Sequence, residues 1–315
     1  MSDMQPYHTR SPVLFIVFNR PDTTATVFEQ IKIARPPRLY VAADGPREGR
    51  NENLRCEQTR QIVNEVDWDC EVKTLFQEKN LGCRDGEVTA MDWFFENEEE
   101  GIIVEDDCLP DNSFFKFCDE LLEKYRFDTK VDHIAGGNFQ HGKKWGDGSY
   151  YFSNLPHTWG WAGWRRVWKG YDKTLSKYNE DDASRILNAT FNDPEITSEW
   201  VRIFREVKTR EIDTWDYQYS FMLFFKGGVG IIPNVNLISN IGFGNNPTNT
   251  LNAESTWSKI PLGKIEEIVH PTDLTVQLEA DIATLKEETD LTPKPGFIEK
   301  TLKRWRKSIN KRLNK

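Results

Sequence analysis

Glu105, Asp106 and Asp107 are consecutive acids at the end of an apolar run over residues 101–104 (GIIV). Unpaired negative charge beside buried chain carries a desolvation penalty, which a hard divalent cation removes. Oxygen-only ligands of this kind suit Mg2+ or Mn2+, which keep waters and take further ligands from a diphosphate. The plainer alternative is an acidic loop that happens to follow a strand; its place after the fourth strand of an alternating α/β unit favours the metal. A second cluster is aromatic, because residues 158–168 (TWGWAGWRRVW) hold four of the eleven tryptophans. Trp161, Trp164 and Trp168 stand at helix-compatible spacings and read as core, Trp164 and Trp168 most clearly. Trp159 and Trp161, on either side of Gly160, can instead form a flat platform for a sugar face. His157, just before them, offers a ring nitrogen to a phosphate or sugar hydroxyl, although a lone histidine is more often structural.

The elements that must position these groups follow from the pattern of apolar residues. Short apolar runs alternate with amphipathic stretches through the first third, as in parallel strands joined by helices. Residues 12–18 (PVLFIVF) predict a buried strand, and a helix follows from Asp22, as N-cap, to Ala34. Residues 38–43 (RLYVAA) predict a second strand ending at Asp44-Gly45-Pro46. A helix over 54–66, a third strand over 72–77, a turn at Asn80-Leu81-Gly82 and a helix over 85–98 come next. The strand over 101–104 completes a βαβαβαβ series. Ligands of such sheets collect beyond the carboxyl ends of the strands, where Asn19-Arg20, Asp44 and the three acids stand. Further helices are predicted over 113–125, 182–191, 196–209 and 215–225, with strands over 133–137 and 229–232 and a turn-rich loop over 142–148. In Asn240-Ile241-Gly242-Phe243-Gly244 the glycines permit close backbone approach, and the polar residues to Thr250 read as a mobile lid.

Composition narrows the class. In 315 residues, 38% hydrophobic and 29% charged with a mean hydropathy of -0.65, no apolar run approaches a membrane-spanning helix, which needs about 20 residues. A 12% aromatic share excludes a disordered chain. The net charge of -9 disfavours a bare nucleic-acid backbone as partner. That average conceals an asymmetry: residues 294–315 carry nine basic residues and one acid, leaving -17 on the other 293. Cys56, Cys70, Cys83, Cys108 and Cys118 are odd in number and lack a C-x-x-C spacing, so neither a disulfide framework nor a zinc site is indicated. The first residues, MSDMQPYHTR, lack the apolar core of a secretory signal and read as a frayed end. A reducing cytoplasm is the simplest setting.

The run IIVEDD followed by LPDNSFFKFCDELLEKY resembles the metal-binding element of GT-A glycosyltransferases. It is most similar to bacterial family-2-like sugar transferases and to the animal N-acetylglucosaminyltransferase I group, in which the DxD motif takes the form EDD. VLFIVFNRPD, AADGPR, EKNLGCRDG, PHTWGWAGWRRVW and the late TWD and NIGFG elements follow in the order such enzymes show, from residue 12 to 250. The resemblance implies an α/β fold with a Rossmann-like, mostly parallel sheet flanked by helices. It implies Asp107 as direct metal ligand, with Asp106 and Glu105 placed to contact donor ribose, sugar or metal-bound water. Arg20 resembles a strand-end arginine that contacts the nucleotide, and Asp44 the acid that recognises the uridine part. Physically these are a fixed cationic fork and a hydrogen-bond acceptor; the alternatives are a surface ion pair and a turn-forming Asp-Gly-Pro. Asp216 resembles the catalytic base of an inverting transfer, with a helix N-terminal acid as its alternative and Asp213 as rival. Lys79, Asn80 and Arg84 are candidates to line the donor pocket, but their segment departs from the animal enzymes and takes no individual role from the resemblance.

Residues 301–313 space Leu302, Trp305, Ile309 and Leu313 at intervals of three or four among cations. This predicts a basic amphipathic helix, suited to an anionic membrane over residues 296–315 or, as alternative, to solubilisation or a protein partner. The expected division is a disordered end over 1–11, a nucleotide-sugar-binding half over 12–127, an acceptor-binding and catalytic half over 128–270, and a helical extension with basic tail over 271–315. The expected activity is metal-dependent inverting transfer, with Mn2+ or Mg2+, from a nucleotide sugar, UDP-linked, to a glycan or lipid-linked glycan, in the cytoplasm or on the inner membrane face. Rival readings are a sugar nucleotidyltransferase and a non-catalytic carbohydrate-binding protein of the same fold.

Overall fold

The computed structural model describes residues 5–210, 212–242 and 260–289. The first half follows the predicted alternation. Strand β1 (Val13–Val17) is buried throughout and leads into α1 (Pro21–Ala34), whose Val27, Phe28, Ile31 and Ala34 form one buried stripe. Pro21, rather than Asp22, opens this helix, since a proline in the first turn gives up no needed N–H. β2 (Arg38–Ala43) precedes α2 (Asn53–Arg60), which tightens into a 3-10 turn at Gln61–Glu65. One continuous helix was expected there; α2 buries only Cys56 and Thr59, too little apolar surface to hold a longer one. β3 (Glu71–Phe76), α3 (Cys83–Asn97) and β4 (Glu100–Glu105) complete the series.

The second half adds β5 (Cys108–Pro110), α4 (Asn112–Tyr125), β6 (Val131–Ala135), β7 (Tyr150–Ser153), β8 (Trp161–Trp164) and the single turn α5 (Arg165–Trp168). α6 (Glu180–Phe191), α7 (Pro194–Thr209), α8 (Asp216–Lys226), β9 (Val229–Pro233), β10 (Ile238–Asn240) and α9 (Leu278–Glu288) follow. Eight strands form one sheet in the order β3-β2-β1-β4-β8-β6-β9-β7, and β5 pairs with β10 in a separate ribbon. β3, β2, β1 and β4 are parallel, while β8 runs antiparallel to both β4 and β6. The chain is therefore α/β, with a Rossmann-like, mostly parallel sheet flanked by helices. Strand order reverses between β1 and β4, and the crevice there lies beyond their carboxyl ends.

Two expectations change. Tyr7, Thr9, Arg10 and Ser11 are not frayed: Asp119 of α4, 3% exposed, accepts from the Tyr7 hydroxyl (2.8 Å), Thr9 Oγ1 (2.9 Å) and the backbone N–H groups of Arg10 (2.7 Å) and Ser11 (3.1 Å). A buried carboxylate needs such donors, and this segment supplies them. Nor does the chain after residue 271 stand apart throughout. Asp281 of α9 accepts from Ser153 Oγ at 2.5 Å and from the Asn154 backbone at 2.9 Å, which fastens α9 beside β7. The predicted lid beyond Gly242 to Thr250 and the basic helix over 301–313 lie outside the described residues.

Candidate active site

Beyond the switch between β1 and β4 opens a cleft of about 870 Å³. Its lining brings the strand-end residues Phe18, Arg20, Asp44, Glu105, Asp106 and Asp107 together with Trp159 and residues 212–217. The register explains why distant sequence meets here. Ile16 pairs with Glu105, so the chain leaving β1 passes directly over the chain leaving β4. A second cleft, about 520 Å³, lies at the opposite, amino ends of the strands. Its arginines are paired, Arg10 with Glu123, Arg38 with Glu98 and Arg126 with Glu100.

The strand-end acids are the electrostatic centre. Asp106 and Asp107 are 2% and 8% exposed. Arg20 bridges them, donating from Nη1 to Asp107 Oδ2 at 2.7 Å and from Nη2 to Asp106 Oδ1; Asp106 also accepts from the Phe18 backbone at 3.1 Å. Glu87 of α3 joins this group, and sequence reasoning missed it. Its Oε2 is buried without a hydrogen-bond partner. Burial, reinforced by Asp106 and Asp107, pushes Glu87 up to about 8, and burial with the same neighbours raises Glu105. Asp106 rises to about 6 because burial outweighs the Arg20 charge. The missed signal was an acid in register with Ala90, Met91 and Phe94, on the buried stripe of α3.

Two aspartates share one guanidinium, and Glu87 and Glu105 beside them are pushed toward the neutral form for want of positive charge, an arrangement that favours an added cation. Among the described residues no group of three or more Asp, Glu, His or Cys is arranged to hold a metal ion. A divalent ion at Asp106 and Asp107 would therefore draw most of its ligands from water and a bound diphosphate, a pattern usual for Mg2+. The residues present fit that kind of ion and not an all-protein cage.

Asp44 is in the cleft wall, but its carboxylate is already engaged: it accepts from Asn80 Nδ2 (2.7 Å) and from the backbones of Gly45 (2.8 Å) and Leu81 (2.9 Å). It thereby joins the turn after β2 to the turn before α3, and burial raises its pKa despite those bonds. Gly45 is required at this junction, because a Cβ there would collide with the Lys79 backbone. Asn80 lines the cleft, whereas Arg84 is turned to Asp85 at 3.3 Å.

In the same cleft, Asp216 opens α8. It accepts from the Thr214 hydroxyl and, at 2.9 Å, from the Tyr217 backbone, and burial raises its pKa. Asp213 also lines the cleft but is exposed. Trp159 reaches the cleft, with Phe139 edge-on behind it at 4.9 Å between centroids. The proposed partners of Trp159 do not. Trp161 is 1% exposed and stacks between His133 and Trp215, at 5.2 and 6.0 Å. It lies on β8, as does Trp164, a strand paired on both sides and buried at every position, so the covered faces of the sheet and not helical spacing bury it. His157, 9% exposed, packs edge-on against Phe139 at 4.6 Å, and burial lowers it to about 3. Neither is placed to hold a sugar.

No protein-family model matches the chain, and no curated protein is significantly similar in sequence. Among solved structures, the mannosyltransferase PcManGT from Pyrobaculum calidifontis, in complex with GDP-Man and Mn2+, is 13% identical, with 71% of this chain and 72% of that one covered and a TM-score of 0.39. HddC from Yersinia pseudotuberculosis is 11% identical over 54% of this chain and 87% of its own, TM-score 0.32. A UDP-glucose pyrophosphorylase complexed with UDP-glucose is 10% identical over 51% and 70%, TM-score 0.26. Likeness this remote assigns neither an activity nor a ligand to the chain.

Proposed function

We propose that the chain is a metal-dependent, inverting glycosyltransferase of the GT-A type, moving a sugar from a nucleoside diphosphate donor, UDP-linked, to a glycan or glycolipid hydroxyl. The observation that carries this reading is the pairing, across one cleft at the strand-order switch, of the Asp106–Asp107 acids with the separate carboxylate of Asp216. Asp106 and Asp107 would hold a Mg2+ or Mn2+ ion, which when bound offsets charge growing on the leaving diphosphate. Asp216 accepts the proton of the acceptor hydroxyl as that oxygen attacks the anomeric carbon. The Thr214 hydroxyl and the Tyr217 N–H fix its orientation. Trp159 offers a ring face to the sugar. Nucleotidyl transfer is disfavoured by the segment after β1, where Asn19-Arg20-Pro21 enters α1 with no glycine-rich loop to cradle a triphosphate.

The test is a donor screen: purified protein, Mn2+ and a panel of nucleotide sugars, with release of nucleoside diphosphate as readout. Turnover of at least one donor, abolished in Asp107→Ala, is the expected result. Failure to bind or turn over any nucleotide sugar in the presence of metal would remove the reading.

A further inference from the structure

We infer that Arg20 couples the two halves of the donor complex: it holds Asp106 and Asp107 until a diphosphate draws it away, so that metal and nucleoside diphosphate bind cooperatively. The inference rests on the proposed donor reading and goes beyond it to the order and coupling of binding. Both Nη atoms of Arg20 are committed to the two acids, and its side chain is only 18% exposed. The acids are the same ones that a divalent cation would need. A guanidinium fork matches a carboxylate pair and a phosphate equally well. Arg20 is therefore a cation with two alternative partners at the end of β1.

The surroundings make this exchange the natural one. Arg20 Nε is buried without a partner, so its present seat does not satisfy the whole guanidinium. Gly242 lies against the ion pair so closely that a Cβ would collide with Asp107 Oδ2 and come within 3.0 Å of Arg20 Nη1. The backbone there leaves little room for Arg20 and a second cation to share Asp107. A metal arriving alone takes Asp106 and Asp107 from Arg20 and leaves the guanidinium beside Glu87 and Glu105, which burial pushes toward the neutral form and so makes poorer partners than a diphosphate. A diphosphate arriving alone meets those carboxylates and an arginine already engaged. Arriving together, each relieves the obstacle to the other. By linkage the factor is the same from both sides, and typical coupling of this kind is about 5- to 150-fold.

Mn2+ binding to the full chain, followed by the electron paramagnetic resonance signal of the free ion, tests this without any turnover. Titrations are run alone, with UDP and with GDP. Wild type should bind Mn2+ weakly alone and at least about 5-fold more tightly with one of the two nucleotides. Arg20→Gln should bind Mn2+ alone more tightly than wild type by a similar factor and keep only the coupling that direct contact between ion and diphosphate supplies, so that the nucleotide's effect on Mn2+ affinity falls by at least about 5-fold. Arg20→Lys, which keeps the charge, should stay near wild type for Mn2+ alone, which separates loss of the competing cation from a disturbed fold. Unchanged or weaker Mn2+ binding by Arg20→Gln, or full coupling surviving in it, overturns the inference. If in that case wild type still binds Mn2+ and nucleotide and Asp107→Ala does not, the donor reading stands alone. If no Mn2+ binds with or without either nucleotide, both fall.

Discussion

Asp216 was legible in the sequence as an acid after a tryptophan, but its environment was not. Half-buried at the start of α8, it feels desolvation that outweighs the hydrogen bonds from Thr214 and Tyr217. In the proposed function Asp216 must be ionised to accept a proton, so its raised pKa would set the pH below which transfer fails. The kcat profile should fall on the acid side at a pH above the ordinary aspartate value of 3.8. Asp216→Asn should keep donor affinity within a few-fold and lose about 10²- to 10⁴-fold in kcat, the usual worth of a general base. Steady-state kinetics with the donor from the screen, alongside titration of UDP binding, decides the matter. Weakened donor affinity with near-normal turnover would assign Asp216 to binding instead. His157 and Trp161 show what residue type alone misses, because the same imidazole or indole serves a cleft or a core according to which way its strand or loop turns it.

At the scale of elements, the parallel half was readable because β1, β2 and β4 are runs of apolar residues long enough to be buried on both faces, as in Val13–Val17 and Arg38–Ala43, while the edge strand β3, none of it buried, is legible from its place in the alternation. The mixed half was not. β8 is only four residues, two of them tryptophan, and its glycine and aromatics read as readily as a helix; β7, β5 and β10 are as short. Their pairing is set by tertiary partners far along the chain, such as Cys108 with Asn240. The amino-terminal segment was missed for a related reason: its anchor, Asp119, lies more than a hundred residues away on α4. Asp119→Ala removes the acceptor of the Tyr7 and Thr9 hydroxyls and of the Arg10 N–H, and leaves the Ser11 N–H only its longer bond to Thr9 Oγ1 at 3.3 Å. An unsatisfied buried group costs about 1–3 kcal/mol, so a loss of roughly 2–4 kcal/mol is expected, with faster tryptic cleavage after Arg10 in the native state. Urea denaturation at neutral pH measures the first and timed proteolysis the second. An unchanged midpoint would show that residues 5–11 add nothing to the fold.

For the whole molecule, the split of charge assigns different tasks to different surfaces. The 293 residues before position 294 carry -17, the acids of the cleft among them, so in the proposed function an anionic donor approaches favourably only with a cation. Among the described residues no helix is long and apolar enough to cross a membrane. The +8 of residues 294–315, which lie outside the described residues, is where the sequence concentrates charge that would attract an anionic surface. Each Lys or Arg brought to such a surface contributes about 1 kcal/mol, and the spacing of Leu302, Trp305, Ile309 and Leu313 offers an apolar stripe to accompany them. Repulsion of the acidic body opposes binding but decays within a Debye length of about 10 Å at 0.1 M salt, so a cationic tail can hold the surface while the body remains in solution. The expected result is sedimentation with vesicles containing phosphatidylglycerol or phosphatidylserine but not with pure phosphatidylcholine, strongly reduced at 0.5 M salt. A chain ending at Pro293 should stay in the supernatant while its donor turnover in solution is unchanged. Equal sedimentation of the two forms would place the attraction elsewhere and leave the tail without this task.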